Sequence, residues 1–197
     1  MLKLGRFSNV TPAVSRGDVL LSGILGAIII FQFSMYTREQ CWKSLSNEIR
    51  VIKHLATKIP LGTEGYRPSE SQRSTLELLQ YLSAVGSSTL KALATENAKA
   101  VMDYTDFKNS VTVENFAEKM DVQEAEMKET LLAFTEEDLA KEFDYYSVRT
   151  KAEHIVEGVM KAFAAYRMQL FLYVKASGAY VSTYDVWMGI DTPPKQD

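Results

Sequence analysis

A chain of 197 residues, 46% hydrophobic and 24% charged, has globular proportions and room for one well-filled core. Its formal charge is −3 with both signs interspersed, and no basic block is present that could neutralise several phosphates, so a nucleic-acid partner is not expected. The single cysteine, Cys41, excludes an internal disulfide framework and a cysteine-rich zinc site, and it fits a reducing, cytoplasmic setting.

Residues 19–35 are apolar and uncharged, interrupted only by Ser22, Gly23, Gly26, Gln32 and Ser34. The run is slightly shorter than the about 20 residues that cross a bilayer's hydrocarbon core. Two readings stand side by side. One is a membrane anchor through residues 19–35, with Lys3, Arg6 and Arg16 on the cytoplasmic side. The other is a translation start at Met35, which makes residues 1–34 a misassigned extension. A cleaved signal peptide fits less well, because residues 32–35 offer no pair of small residues at a cleavage point. The expected organisation is therefore an extension over 1–34 and one domain over 36–197.

The first helix of that domain opens at Thr37-Arg38-Glu39-Gln40, which has the capping-box form. Behind it Trp42, Leu45, Ile49, Ile52, Ala56 and Ile59 recur at steps of three and four, one apolar face that stops at Pro60 and Gly62. Residues 61–69 read as a loop. A second helix is expected from 69–71, with Leu76, Leu79, Leu82 and Leu90 inward and a kink at Gly86-Ser87-Ser88. Residues 95–109 read as a loop with a short helix. A third helix follows Thr112, carrying Val113, Phe116, Met120, Met127, Leu131 and Phe134 on one face. Residues 135–144 read as an acidic connection with one helical turn. The fourth helix is expected over 148–176, ending at Ser177-Gly178, with Ile155, Val156, Val159, Phe163, Leu170, Tyr173 and Val174 inward. No strand pattern is seen. Four amphipathic helices with short connections predict an all-α four-helix bundle behind a hydrophobic N-terminal segment.

Few side chains offer chemistry. His54 lies with Asn47, Arg50 and Lys58, and His154 with Glu157 and Lys161, each on a polar helix side. A metal pair of His154 and Glu157 is one reading; two solvated histidines is the one adopted. Cys41, beside Trp42, reads as packing and has no histidine placed as its base.

Three stretches together resemble the DinB-like (YfiT-like) superfamily. They are Tyr66-Arg67-Pro68 followed by the run from Arg73 to Leu82, the segment Ala165-Tyr166-Arg167-Met168-Gln169-Leu170, and the closing Ser182-Thr183-Tyr184-Asp185-Val186-Trp187-Met188-Gly189. The resemblance implies a DinB-like bundle, in which many members hold a divalent metal through one histidine on the second helix and two on the fourth. The matching positions here are Tyr81, Ala162 and Tyr166. An alanine has no donor atom and a phenol titrating near 10 is a poor ligand at neutral pH, so no metal or other cofactor is expected.

A ligand pocket would then be lined by Tyr81, Ala162, Tyr166, Arg167 and Gln169; against this stands the blander reading of core tyrosines with hydroxyls at its edge, and of Arg167 and Gln169 bonded to loop carbonyls. No catalytic residue is assigned. The function expected first is a small-ligand-binding or interaction bundle that binds no metal, with a homodimer as the implied partner. The second is a metal-dependent enzyme of the superfamily, thiol S-transferase-like or hydrolase-like.

Overall fold

The computed structural model describes residues 36–99 and 105–194. Residues 19–35, with both readings of that run, lie outside the described residues. Among the described residues no helix is long and apolar enough to cross a membrane.

The elements are α1 Arg38–Ala56, α2 Thr75–Thr95, α3 Thr105–Asn109, α4 Phe116–Ala133 and α5 Glu136–Ala140. A hairpin follows, β1 Glu142–Asp144 and β2 Val148–Thr150. A long rod closes the bundle: α6 Lys151–His154, a π-helical segment Ile155–Met160, and α7 Lys161–Ala176. A second π-helical turn, Tyr184–Met188, ends the chain's regular structure. Four rods make the bundle: α1 packs on α4 and α7, and α2 packs on α4, on α7 and on the π segment. Leu45, Ile49, Ile52, Leu78, Leu79, Leu82, Leu90, Phe116, Met120 and Phe163 are fully buried between them, in keeping with the predicted apolar faces. Arg38 ties the start of α1 to the carbonyl end of α4, donating to Phe134 O and to Leu132 O at 3.4 Å, where a cation favours the helix dipole.

Four expectations need correction. The second helix starts at Thr75, not at 69–71, because Ser74 and Glu77 form the capping box: Glu77 N–H donates to Ser74 Oγ at 3.2 Å and Ser74 N–H to Glu77 Oε2 at 2.7 Å. Two short strands exist where none was seen. Phe143 pairs with Arg149 across the hairpin, and its turn sets Tyr146 at φ 62°. The fourth helix starts at Lys151 rather than 148, because residues 148–150 are taken by β2 and Thr150 and Glu153 form a further capping box. Finally, Val156 is 45% exposed rather than inward. Lys161 N–H bonds to Val156 O, five residues back; that wider π turn keeps Ile155, Val159 and Phe163 inside and rotates Val156 out.

The Gly86 region is one unbroken helix with a specific insertion. Gln123 of α4, 1% exposed, donates Nε2–H to Leu82 O at 2.8 Å and accepts from Gly86 N–H at 2.9 Å. Those two backbone groups are the pair that an α-helix joins to each other, and the side-chain amide contacts both. Only glycine fits at 86: a Cβ there would lie 2.7 Å from Phe163 Cε2 and 2.8 Å from Met127 Cε.

Candidate functional site

Tyr81 stands on the second turn of α2 and Tyr166 on α7, one turn after Ala162, which itself follows the π segment. The structure brings the two phenols together, edge to face, with ring centroids 4.9 Å apart. Arg73, just before the α2 cap, lays its guanidinium 4.3 Å from the Tyr81 centroid and 5.9 Å from that of Tyr166. Burial, followed by the neighbouring Tyr166, pushes Tyr81 up to about 12, against the opposing pull of Arg73. The Tyr81 hydroxyl is therefore protonated at neutral pH. The donor set at these three positions is a methyl group and two phenols, with a guanidinium over them. That set does not fit a divalent cation, which needs anionic or imidazole donors and no fixed positive charge beside it.

Arg167 and Gln169 are engaged elsewhere. Arg167 is 6% exposed; its Nε lies 2.7 Å from Glu48 Oε2, its Nη1 donates to Val186 O, and its guanidinium sits 4.8 Å from the Trp187 ring. Gln169 Nε2–H donates to Tyr173 Oη at 2.6 Å. Arg167 thus bonds a carbonyl of the closing π turn, and Gln169 bonds a side chain of its own helix rather than a loop carbonyl.

Both histidines are bonded, which corrects the reading of two solvated rings. His154 is 4% exposed and donates to Phe143 O at 2.8 Å, among the rings of Phe143 and Tyr145. It faces the hairpin and not Glu157, whose carboxylate pairs with Lys161 at 2.6 Å. His54 Nε2–H donates to Asp185 Oδ1 at 2.9 Å. Asp185 is fully buried and also accepts from Ser182 N–H at 3.0 Å and from the Thr192 hydroxyl. Burial alone would raise its carboxyl, but the Thr192, Ser182 and His54 bonds outweigh that and hold it below the usual carboxylate range.

Sequence reasoning missed what these contacts build. Arg50 and His54 on one face of α1, and Lys58 in the turn that follows it, recur every fourth residue, and the closing segment lies along them. Arg50 donates to Met188 O at 2.8 Å and Gly189 O at 3.2 Å, and Lys58 pairs with Asp191 at 2.5 Å. Gly189, at φ 58°, makes room: a Cβ there would meet Arg50 Nη1 at 2.7 Å. Donor atoms of His54, Asp185 and Asp191 lie within 4.8 Å of one another. The carboxylates are already engaged by Lys58 and Thr192, so the cluster serves as a clamp. The signal available in the sequence was the basic spacing at 50, 54 and 58; its partners lie more than a hundred positions away.

Beside Tyr81 opens a groove of about 480 Å³, polar in lining, formed by the loop before α2, the first turns of α2, and α3. Arg67, Arg73 and Lys108 face it together with Glu70 and Glu77.

An all-α bundle of four rods, with this loop-to-helix entry and a closing segment laid back on α1, has the DinB-like fold. Among solved structures the chain resembles a DinB-like protein (YjoA) from Bacillus subtilis, at a TM-score of 0.61 and 20% identity, over 79% of this chain and 96% of that one. A likeness at that identity shows the fold alone. No protein-family model matches the sequence, and no curated protein matches it either.

Proposed function

We propose that the domain is a small-ligand-binding or interaction bundle of DinB-like fold that holds no divalent metal. The observation that carries this is Arg73 over the Tyr81–Tyr166 pair. At the three positions where the superfamily resemblance leads one to expect imidazoles, this chain has two phenols and one methyl group, with the positive charge of Arg73 over the phenols. A thiol-activating metal mechanism has no seat in that donor set. Side chains suited to binding are nearby instead, in the polar groove that Tyr81 lines.

The test is elemental analysis of the full chain purified without chelator. The proposal expects no stoichiometric zinc, nickel or iron. Near-stoichiometric metal that is lost on changing Tyr81 or Tyr166 to Phe would overturn it and restore the enzyme reading.

A further inference from the structure

Arg73 is more than a cover for the tyrosines. Its guanidinium lies over the Tyr81 ring, and its charge reaches Glu77 and helps to lower that carboxyl, but no described residue accepts a hydrogen bond from it or forms an ion pair with it. A guanidinium held over a ring and bonded to no protein acceptor keeps its N–H groups available for a carboxylate or phosphoryl group. Lys108, on α3, borders the same groove and likewise has no carboxylate partner among the described residues. The third cation, Arg67, is committed: its Nη2 lies 3.3 Å from Glu77, whose carboxylate also caps α2 through Ser74 N–H. Of the two acids in the lining, then, only Glu70 is unengaged. Two cations without an ion-pair partner, on different elements, stand with one unengaged carboxylate at the N-terminal end of a 21-residue helix whose dipole favours an anion. The whole chain carries −3, so this groove opposes the sign of the protein around it.

We infer that the groove beside Tyr81 binds the oxyanion group of a small molecule, a carboxylate or a phosphoryl group, gripped by Arg73 and Lys108. The inference rests on the metal-free ligand-binding reading above and names the chemical class of its ligand. Arg73 supplies N–H donors in a fork, Lys108 a point charge from α3, and Glu70 an opposing charge that weakens the grip.

The probes are sodium acetate and inorganic phosphate, titrated separately into the ¹⁵N-labelled full chain at constant ionic strength with chloride as the balance. Arginine Nε–Hε resonances are the readout. The Arg73 signal should shift and saturate for at least one probe, with a Kd of about 1 mM or tighter. Saturation by phosphate alone assigns a phosphoryl ligand, and by acetate alone a carboxylate; by both, it assigns an oxyanion without further choice. Arg73→Lys keeps the charge but loses the fork and should weaken binding about tenfold. Lys108→Gln, on a separate element, should weaken it as well, while Glu70→Gln should tighten it about threefold. All three positions are outside the core, and thermal melts of each variant check that the fold is kept.

No saturable shift for either probe would overturn the inference, as would undiminished binding in both Arg73→Lys and Lys108→Gln. Metal content separates the two failures. A metal-free chain that ignores both anions sinks this inference alone, whereas a metal-loaded wild type sinks the reading beneath it.

Discussion

Replacing Gly86 by alanine tests the close packing between α2, α4 and α7. In an exposed helix interior the change would stabilise by about 1 kcal/mol, because alanine loses less backbone entropy than glycine. Here the added methyl would lie 2.7 Å from Phe163 Cε2 and 2.8 Å from Met127 Cε, both well inside van der Waals contact. Met127 and Phe163 are each completely buried. The methionine end can swing aside, but the phenyl ring has packed neighbours behind it and must carry part of the backbone with it. Overpacking of this kind costs about 1–3 kcal/mol, which exceeds the propensity gain. The net expectation is a loss of about 1 kcal/mol, lowering the melting temperature of a chain of this size by about 2–4 °C. Circular dichroism melts and urea titrations measure it. Met127→Leu, which removes the flexible chain end, should recover part of the loss in the double variant, a coupling of about 0.5 kcal/mol or more. A Gly86→Ala protein more stable than wild type would refute the stated approach of the three helices.

Other consequences follow from the same contacts. Gln123→Leu removes the three bonds to α2, from Gly86 and Ser87 N–H and to Leu82 O, and should cost about 1–3 kcal/mol, with faster amide exchange at Gly86 and Ser87 as its local signature. Asp185→Asn should destabilise by a similar amount near neutral pH, since three donors converge on a buried carboxylate. The wild-type carboxyl is held low in the folded state, so its contribution is present above the unfolded value near 4 and is lost as pH falls through the folded value. Stability measured against pH should therefore fall more steeply on the acid side for wild type than for Asp185→Asn. A chain beginning at Met35 should be helical and unfold in one cooperative transition, because residues from Arg38 onward pack as one compact unit; a broad, non-cooperative melt would count against this.

The helical frame was legible because burial leaves its mark at helical spacing. Leu45, Ile49 and Ile52 of α1, and Phe116, Met120, Met127 and Leu131 of α4, occupy the predicted faces. The α2 capping box is also present in the sequence, as Ser74 and Glu77, but Ser69 and Ser71 offer competing helix starts ahead of it. Other features left no local trace. Each strand of the hairpin is three residues long, too short for alternation to rise above chance. The π turn shows only as Val156 pointing outward, since an extra residue per turn changes no residue type. The tyrosine positions at 81 and 166 were found by resemblance, and the structure does set them in contact. Arg73 over them could not be read, because it depends on how the loop before α2 turns back across the helix. His54 and His154 looked solvated for a related reason: a polar helix face says nothing of the segment that later covers it.

Calorimetric titration of zinc and nickel into the wild type, and into a variant with Tyr81→His, Ala162→His and Tyr166→His, addresses the central claim most directly. The account predicts no binding heat at the site in the wild type. In the variant it predicts a one-to-one event accompanied by a rise in melting temperature, since an ion that binds only the folded chain stabilises it by mass action. Stoichiometric binding by the wild type that survives removal of residues outside this trio, and is lost when Tyr81 and Tyr166 are changed, would contradict the account.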